Sequence, residues 1–155
     1  MTDSAPLELR VADYRLEDSL GFLVHRLRSE LFAALEAETG AYDITAAQWV
    51  ILMLLGHGHA RTAAELARCL GSDTGSMTRM IDRLEDKGLI GRQRSASDRR
   101  VVLLALSASA EALLPQLPVA AVNVLRHFLR GFTVDEYAQL TQLLRRVLAN
   151  ADAAP

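Results

Sequence analysis

Cysteine is nearly absent. Cys69 stands alone among 155 residues, which excludes an intramolecular disulfide framework and leaves an apolar core to hold the fold. Long hydrophobic runs are missing as well: the longest, Trp49 to Leu55, falls far short of the ~18 residues that a membrane span requires. The first residues contain no basic stretch leading into an apolar one, so no secretory leader is expected and the chain is read as cytoplasmic. Nor is there a glycine-rich phosphate loop, a nucleophile elbow, or a Ser/His/Asp set in any defined relation, so neither an enzyme nor a cofactor is expected.

Net positive charge is also lacking, since the chain carries a formal charge of −2, an average that argues against a polyanionic partner. The distribution reverses that argument locally. Residues 61–100 hold nine Lys/Arg against six Asp/Glu, and the rest of the chain eight against thirteen. A middle of +3 between flanks totalling −5 is the pattern of a locally anion-seeking surface. Four of those arginines, Arg92, Arg94, Arg99 and Arg100, fall within nine residues around a small Ser95-Ala96-Ser97 tip.

With half its residues hydrophobic, a chain of this length closes one core, and residues 1–155 are read as a single domain. Helical periodicity dominates. Leu16, Leu20, Leu23, Leu27, Leu31 and Leu35 recur at steps of three and four, the stripe of a long amphipathic helix that Gly40 is expected to end. Three capping boxes follow: Thr45 with Gln48, Thr62 with Glu65, and Thr133 with Glu136, each predicting a helix start. The Gly56-His57-Gly58-His59 stretch between the first two reads as a turn.

The helix opened by Thr62 stops at Gly71, and Met77, Met80, Ile81 and Leu84 share a face of another that Lys87-Gly88 ends. Two short helices across so tight a turn predict a helix-turn-helix. Two strand-like segments around Ser95–Asp98 predict a β-hairpin, and Ser107 is placed to cap a helix over 108–130 that Pro115 and Pro118 must kink or interrupt. The fold class is therefore mainly α with a small β-hairpin wing.

In a helix-turn-helix the second helix enters the major groove of DNA. With Met77, Ile81 and Leu84 inward, about 100° per residue places Ser72, Gly75, Ser76, Arg79 and Arg83 outward. Small residues admit a close backbone approach, and arginine is suited to guanine O6/N7. Asp82 and Asp86 lie near the same face, in reach of wing or neighbouring arginines. The hairpin tip is slim enough for a minor groove, whose potential attracts an inserted arginine, and Asp98 is suited to orient Arg100.

The segment from Thr62 to Ser107 resembles the DNA-binding lobe of the MarR family of bacterial winged-helix regulators. The matching features are Glu65-Leu66-Ala67, the run Thr78-Arg79-x-Ile81-Asp82-Arg83-Leu84-Glu85-x-Lys87-Gly88-Leu89-Ile90, and Asp98-Arg99-Arg100 followed by Leu-x-Leu-Ser before a long helix. The resemblance covers residues 16–150 and implies a DNA-binding lobe over 45–107. It further implies a helical dimerisation region over 10–40 and 108–150. The implied DNA-contacting residues are Ser72, Thr74, Gly75, Ser76, Thr78, Arg79 and Arg83 on the second helix, with Arg94, Ser97, Asp98, Arg99 and Arg100 on the wing, Arg100 entering the minor groove.

The implied function is a homodimeric regulator of transcription, acting as a repressor on a pseudo-palindromic double-stranded operator and released by a small aromatic, phenolic or aromatic-carboxylate effector. His25 and Arg28 are candidates to neutralise a carboxylate, with Gln48 and Trp49 for hydrogen bonding and stacking. The dimer has a physical rationale of its own: two half-sites ~34 to 36 Å apart need two helices held at that spacing. The leucine stripe and the last helix offer the apolar surface for it.

Other functions remain open from sequence. His57, His59, His25 and Cys69 are residue types that bind zinc, although no tight ligand spacing recurs and no metal is expected. Relatives that sense peroxide place their cysteine in the first helix, where this chain has none, and Cys69 beside Leu66 and Leu70 is expected to be buried packing. A thiol- or metal-responsive sensor of the same fold and a winged-helix protein-interaction module without DNA binding are the alternatives.

Overall fold

A computed structural model describes residues 7–98 and 100–153. After a short 3-10 turn at Val11–Asp13 come α1 (Leu20–Thr39), a second 3-10 turn (Gly40–Tyr42), α2 (Ala46–Gly56), α3 (Ala63–Leu70) and α4 (Thr74–Asp86). The hairpin β1 (Ile90–Arg94) and β2 (Val102–Leu106) follows, then α5 (Ala108–Leu113), α6 (Leu117–Phe128) and α7 (Val134–Asp152). The mainly helical class with a hairpin wing is as the sequence reads.

All three capping boxes form. Thr45, Thr62 and Thr133 accept the backbone N–H of Gln48, Glu65 and Glu136, whose side chains take the cap N–H in return. Backbone hydrogen bonds, from Arg61 to Glu65 and from Thr133 to Glu136, hold both glutamates below the usual carboxylate range. Ser107 caps α5 through the N–H of Ala110. Pro115 and Pro118 split the segment that follows: α5 stops at Leu113, and α6 restarts with Pro118 in its first turn, where a missing N–H costs no intrahelical bond.

Gly40 ends α1 as expected, with φ at −55° and not in the left-handed region; the chain tightens into the 3-10 turn, leaving Asp43 (φ 52°) as the left-handed residue. Asp tolerates that region better than most side chains, and Lys87 Nζ holds it there, donating to the Asp43 carbonyl with the carboxylate 3.2 Å away. Within the histidine turn only Gly58 has positive φ (70°). Gly56 answers to crowding instead, since a Cβ there would lie 2.5 Å from Cδ2 of Leu114.

The main core lies inside the middle lobe. Ile51, Leu52, Leu66, Met77, Ile81, Leu84 and Leu117 are almost completely buried there, joined by Ile44, Ala60, Ile90, Leu104 and Ala110. A smaller cluster of Leu35, Ala46, Ala120 and Val124 sits where α1 crosses α6, and Trp49 packs against both. The indole N–H of Trp49 donates to the Leu117 carbonyl at 2.8 Å. β1 and β2 pair antiparallel with Arg92 opposite Leu104, and the Leu104 N–H donates to the Arg61 carbonyl at 2.8 Å, tying the hairpin to the segment before α3.

In α7 no residue whose side chain is described is buried, and Tyr137, Leu140, Leu143, Leu144, Val147 and Leu148 stand exposed along it. Leu20, Leu23, Val24 and Leu27 of α1 are likewise exposed.

Replacing Thr62 by Ala removes the α3 cap and is expected to lower stability by about 1 kcal/mol, read as a lower urea midpoint at unchanged m-value. An unaltered midpoint would mean that α3 is held by packing alone.

Candidate nucleic-acid interface

The turn before α4 is set by backbone chemistry. Gly71 takes the left-handed conformation (φ 58°) at the end of α3, and the Ser72 N–H donates to the Ala67 carbonyl at 2.9 Å. Asp73 then caps α4, accepting the Ser76 N–H at 2.8 Å. Hydrogen bonds from Ser76, side chain and backbone, hold its carboxyl below the usual range. Asp73 was absent from the candidate residues, although an Asp three positions before Ser76 at a helix start is a readable cap.

Burial of Met77, Ile81 and Leu84 rotates the other stripe of α4 outward. Thr74, Gly75, Thr78, Arg79 and Arg83 are exposed, while Ser72 and Ser76 are half-buried. Arg79 Nη2 donates to Ser76 Oγ at 3.2 Å, and the Thr78 hydroxyl donates to the Thr74 carbonyl at 2.8 Å. A Cβ on Gly75 would sit 3.3 Å from the capping carboxylate of Asp73, so glycine leaves the cap undisturbed. This end of α4 therefore offers small groups around a helix start that Asp73 already caps, followed by two arginines a turn apart: donors toward a polyanion and its base edges.

The wing tip is built by a buried serine. Ser95 Oγ accepts the N–H groups of Ser97 and Asp98 at 3.3 and 3.4 Å, and Ser95 N–H closes the loop on the Val101 carbonyl at 2.9 Å. Ser97 Oγ lies 3.0 Å from Ser95 Oγ. Asp98 accepts the Arg100 N–H at 2.9 Å, Nε at 3.2 Å and Nη2 at 3.4 Å. Those bonds, the backbone one foremost, hold Asp98 below the usual carboxylate range. The Arg100 side chain is 92% exposed, so Asp98 orients both its backbone and its guanidinium while the side chain stays in solvent at the wing. Arg94 is exposed at the end of β1. Arg99 lies outside the described residues.

Arg92 behaves differently from its neighbours. Its guanidinium binds Asp82 through Nη2 and Glu85 through Nη1, each at 2.5 Å, and the hydrogen bond to Asp82 foremost raises its pKa further. The acidic residues near the recognition face thus do pair with the wing, with Glu85 rather than Asp86 as the second partner.

The four candidate effector residues divide between α1 and α2. His25 and Arg28 are exposed on α1, with the Arg28 guanidinium 4.9 Å above the Phe32 ring. Gln48 is buried and spends its carbonyl on the Thr45 N–H at 3.0 Å. It also borders a cavity of about 400 Å³ with Thr45, Met80, Arg83, Asp86 and Lys87, which His25, Arg28 and Trp49 do not line.

Among the described residues, no three His, Cys, Asp or Glu side chains converge as metal ligands; the His57 and His59 rings stack 6.4 Å apart. Cys69 is exposed rather than buried, because the inward stripe of α3 runs through Ala63, Leu66, Ala67 and Leu70 and Cys69 falls roughly 110° around the helix from its centre.

Comparison with known proteins agrees with this geometry. The family model described as MarR matches residues 44–102. The chain is 33% identical over 130 residues to the multiple antibiotic resistance protein MarR of Escherichia coli (strain K12), covering 83% of this chain and 90% of that protein. Its fold is similar to the crystal structure of wild-type E. coli MarR in the apo form, with a TM-score of 0.73 and 84% and 97% of the two chains covered. It is equally similar to a mutant E. coli MarR complexed with operator DNA, with a TM-score of 0.73, 33% identity, and 83% and 93% covered. The helix-turn-helix, the arginine-bearing wing and this identity over most of both chains place the protein in the MarR family of transcriptional regulators.

Proposed function

We propose that the protein is a homodimeric repressor that reads a pseudo-palindromic operator and leaves it when a small aromatic effector binds. The observation that carries this reading is the pairing, on one rigid lobe, of an outward α4 stripe rich in small and hydroxyl groups with a wing arginine projecting into solvent. Ser72, Thr74, Gly75, Ser76, Thr78, Arg79 and Arg83 supply the major-groove surface. Arg94, Ser97 and Arg100, with Asp98 as its anchor, supply the wing. The operator complex of E. coli MarR, 33% identical to this chain, supports DNA as the partner.

The dimer rests on the outer helices. α7 buries none of its described side chains, and with the exposed leucines of α1 and Val119, Val122 and Leu125 of α6 it offers apolar surface that supports association with a second copy. Joining two copies through the regions 10–40 and 108–150 holds two recognition helices at a fixed spacing. At ~34 to 36 Å both engage; at another spacing they cannot. An effector that binds the second arrangement better lowers operator affinity by its differential affinity for the two. His25 and Arg28, exposed on α1, are the residues proposed to meet an aromatic carboxylate.

Arg100→Ala is expected to weaken operator binding, to lower the slope of log K against log salt by about 1, and to leave the dimer intact; unchanged binding and slope would remove Arg100 from the interface. Paired Leu140→Glu and Leu144→Glu substitutions are expected to give a folded monomer in sedimentation that no longer protects an operator, whereas a persisting dimer would relocate the interface. With benzoate or a hydroxybenzoate as probe, Arg28→Ala should keep operator affinity and lose release; a normal response would take Arg28 out of the effector site.

The function as a whole is tested by sequencing the genomic fragments that the purified protein retains near physiological salt. Enrichment of a pseudo-palindrome with half-sites one helical turn apart is expected. Retention of nothing above background would favour a winged-helix module that binds protein.

A further inference from the structure

The ion triad of Arg92, Asp82 and Glu85 does not fit the role of the other wing arginines. Arg92 sits directly opposite Leu104 in the β1–β2 register, and opposed residues in an antiparallel pair share a face of the hairpin. Leu104 is buried, so this is the face turned to the helices. There the guanidinium forks, one nitrogen to each carboxylate at 2.5 Å. Asp82 and Glu85 are three residues apart on α4, neighbours on one flank of that helix.

The three side chains are 35%, 49% and 38% exposed, and ion pairs this wet contribute little to stability. Two other consequences follow from the geometry. A fork held at both ends fixes the hairpin against the helix in angle as well as distance, which a single flexible contact does not. It also turns two carboxylates at the edge of the DNA-facing surface toward a cation instead of toward phosphate.

We propose that Arg92 is a positioning residue of the DNA interface: by bridging Asp82 and Glu85 it locks the wing to the recognition helix, so that Arg100 and the outward face of α4 meet one stretch of DNA in a single geometry. Arg92 itself makes no DNA contact and acts through Arg100. The inference rests on the operator-binding function proposed above for its DNA readout, and on the fold alone for its structural one.

Both are measurable. Spin labels on the native, exposed Cys69 of α3 and on an Ala96→Cys variant at the exposed wing tip report the distance between lobe and wing without DNA. The distribution should be narrow with Arg92 present and broaden in Arg92→Gln; a distribution equally narrow in both overturns the lock.

In operator binding, Arg92→Lys keeps the charge and loses the fork, and a roughly five- to tenfold loss of affinity is expected at unchanged salt slope. In the Arg92→Lys background, Arg100→Ala should cost less than it does in the wild type, the non-additivity of residues that act together. Wild-type affinity in Arg92→Lys, or fully additive losses with Arg100→Ala, would each overturn the proposal. If the wild-type protein retains no operator, the repressor function fails, and the spin-label distances still decide the lock.

Discussion

Met77, Ile81 and Leu84 set the orientation of everything the lobe presents. These side chains are almost wholly withdrawn from solvent, and a helix with one stripe pinned in a packed core has no rotational freedom left for the opposite stripe. The outward placement of Thr74, Gly75, Thr78, Arg79 and Arg83 is thus a consequence of core packing. The surrounding elements serve the same seat. α3 closes over it with Leu66, the hairpin delivers Ile90 and Leu104 into it, and Leu117 comes to it from the start of α6. A regulator that reads DNA with a few side chains requires that seat to be rigid, because contacts to base edges are worthless if the helix rolls.

The electrostatics follow a second constraint, how an acidic chain presents a cationic face. Four of its carboxylates near the recognition surface are occupied by donors of the protein itself. Asp73 is taken by the first turn of α4, Asp98 by the backbone and side chain of Arg100, and Asp82 and Glu85 by Arg92. The depressed pKa values of Asp73 and Asp98 mean that these groups keep their charge at neutral pH, and their hydrogen bonds, through ordinary pH. The bonds weaken only as pH falls through values below the usual carboxylate range. Arg79, Arg83, Arg94 and Arg100 remain exposed beside them. Net charge therefore says little about the partner of such a surface; the pairing of individual charges says more.

Much of this was legible in the sequence because it is written in local signals. Each Thr-x-x-Glu/Gln box reports a helix start through four adjacent residues, and the Met77/Ile81/Leu84 spacing reports both a helix and its inward face. The proline interruption at 115 and 118 is equally local. What escaped depends on residues distant in sequence. The hold that Lys87, 44 positions away, has on the left-handed Asp43 is one such contact. Cys69 looked apolar by its neighbours, yet three residues beyond Leu66 is not the same face as four. Arg92 reads only as one of four clustered arginines, because nothing in its own segment shows which of them meets Asp82 and Glu85 on α4. The candidate effector residues are the least legible: Gln48 and Trp49 are polar-tipped side chains in an apolar helix, and Gln48 spends its carbonyl and Trp49 its indole N–H on backbone groups of the fold.

The division of the core into two unequal parts bears directly on how such a protein would switch. The lobe is packed around large side chains, whereas the cluster joining α1 to α6 consists of Leu35, Ala46, Ala120 and Val124, with Leu31, Phe32, Phe128 and Trp49 at its margin. Two of its four buried members are alanines, which bring backbones close but provide few side-chain atoms to interlock, so a small rotation there disrupts less packing than any movement inside the lobe. Under the proposed mechanism the lobe moves as one body, and the compliant element is the seam beside α1. The wing and the recognition helix then keep their mutual geometry through the transition, and only the distance between the two lobes changes. This is why a lock between wing and helix, as inferred for Arg92, would matter to a protein whose regulation acts elsewhere: a spacing switch is sharp only if each half of the DNA reader stays rigid while the spacing moves.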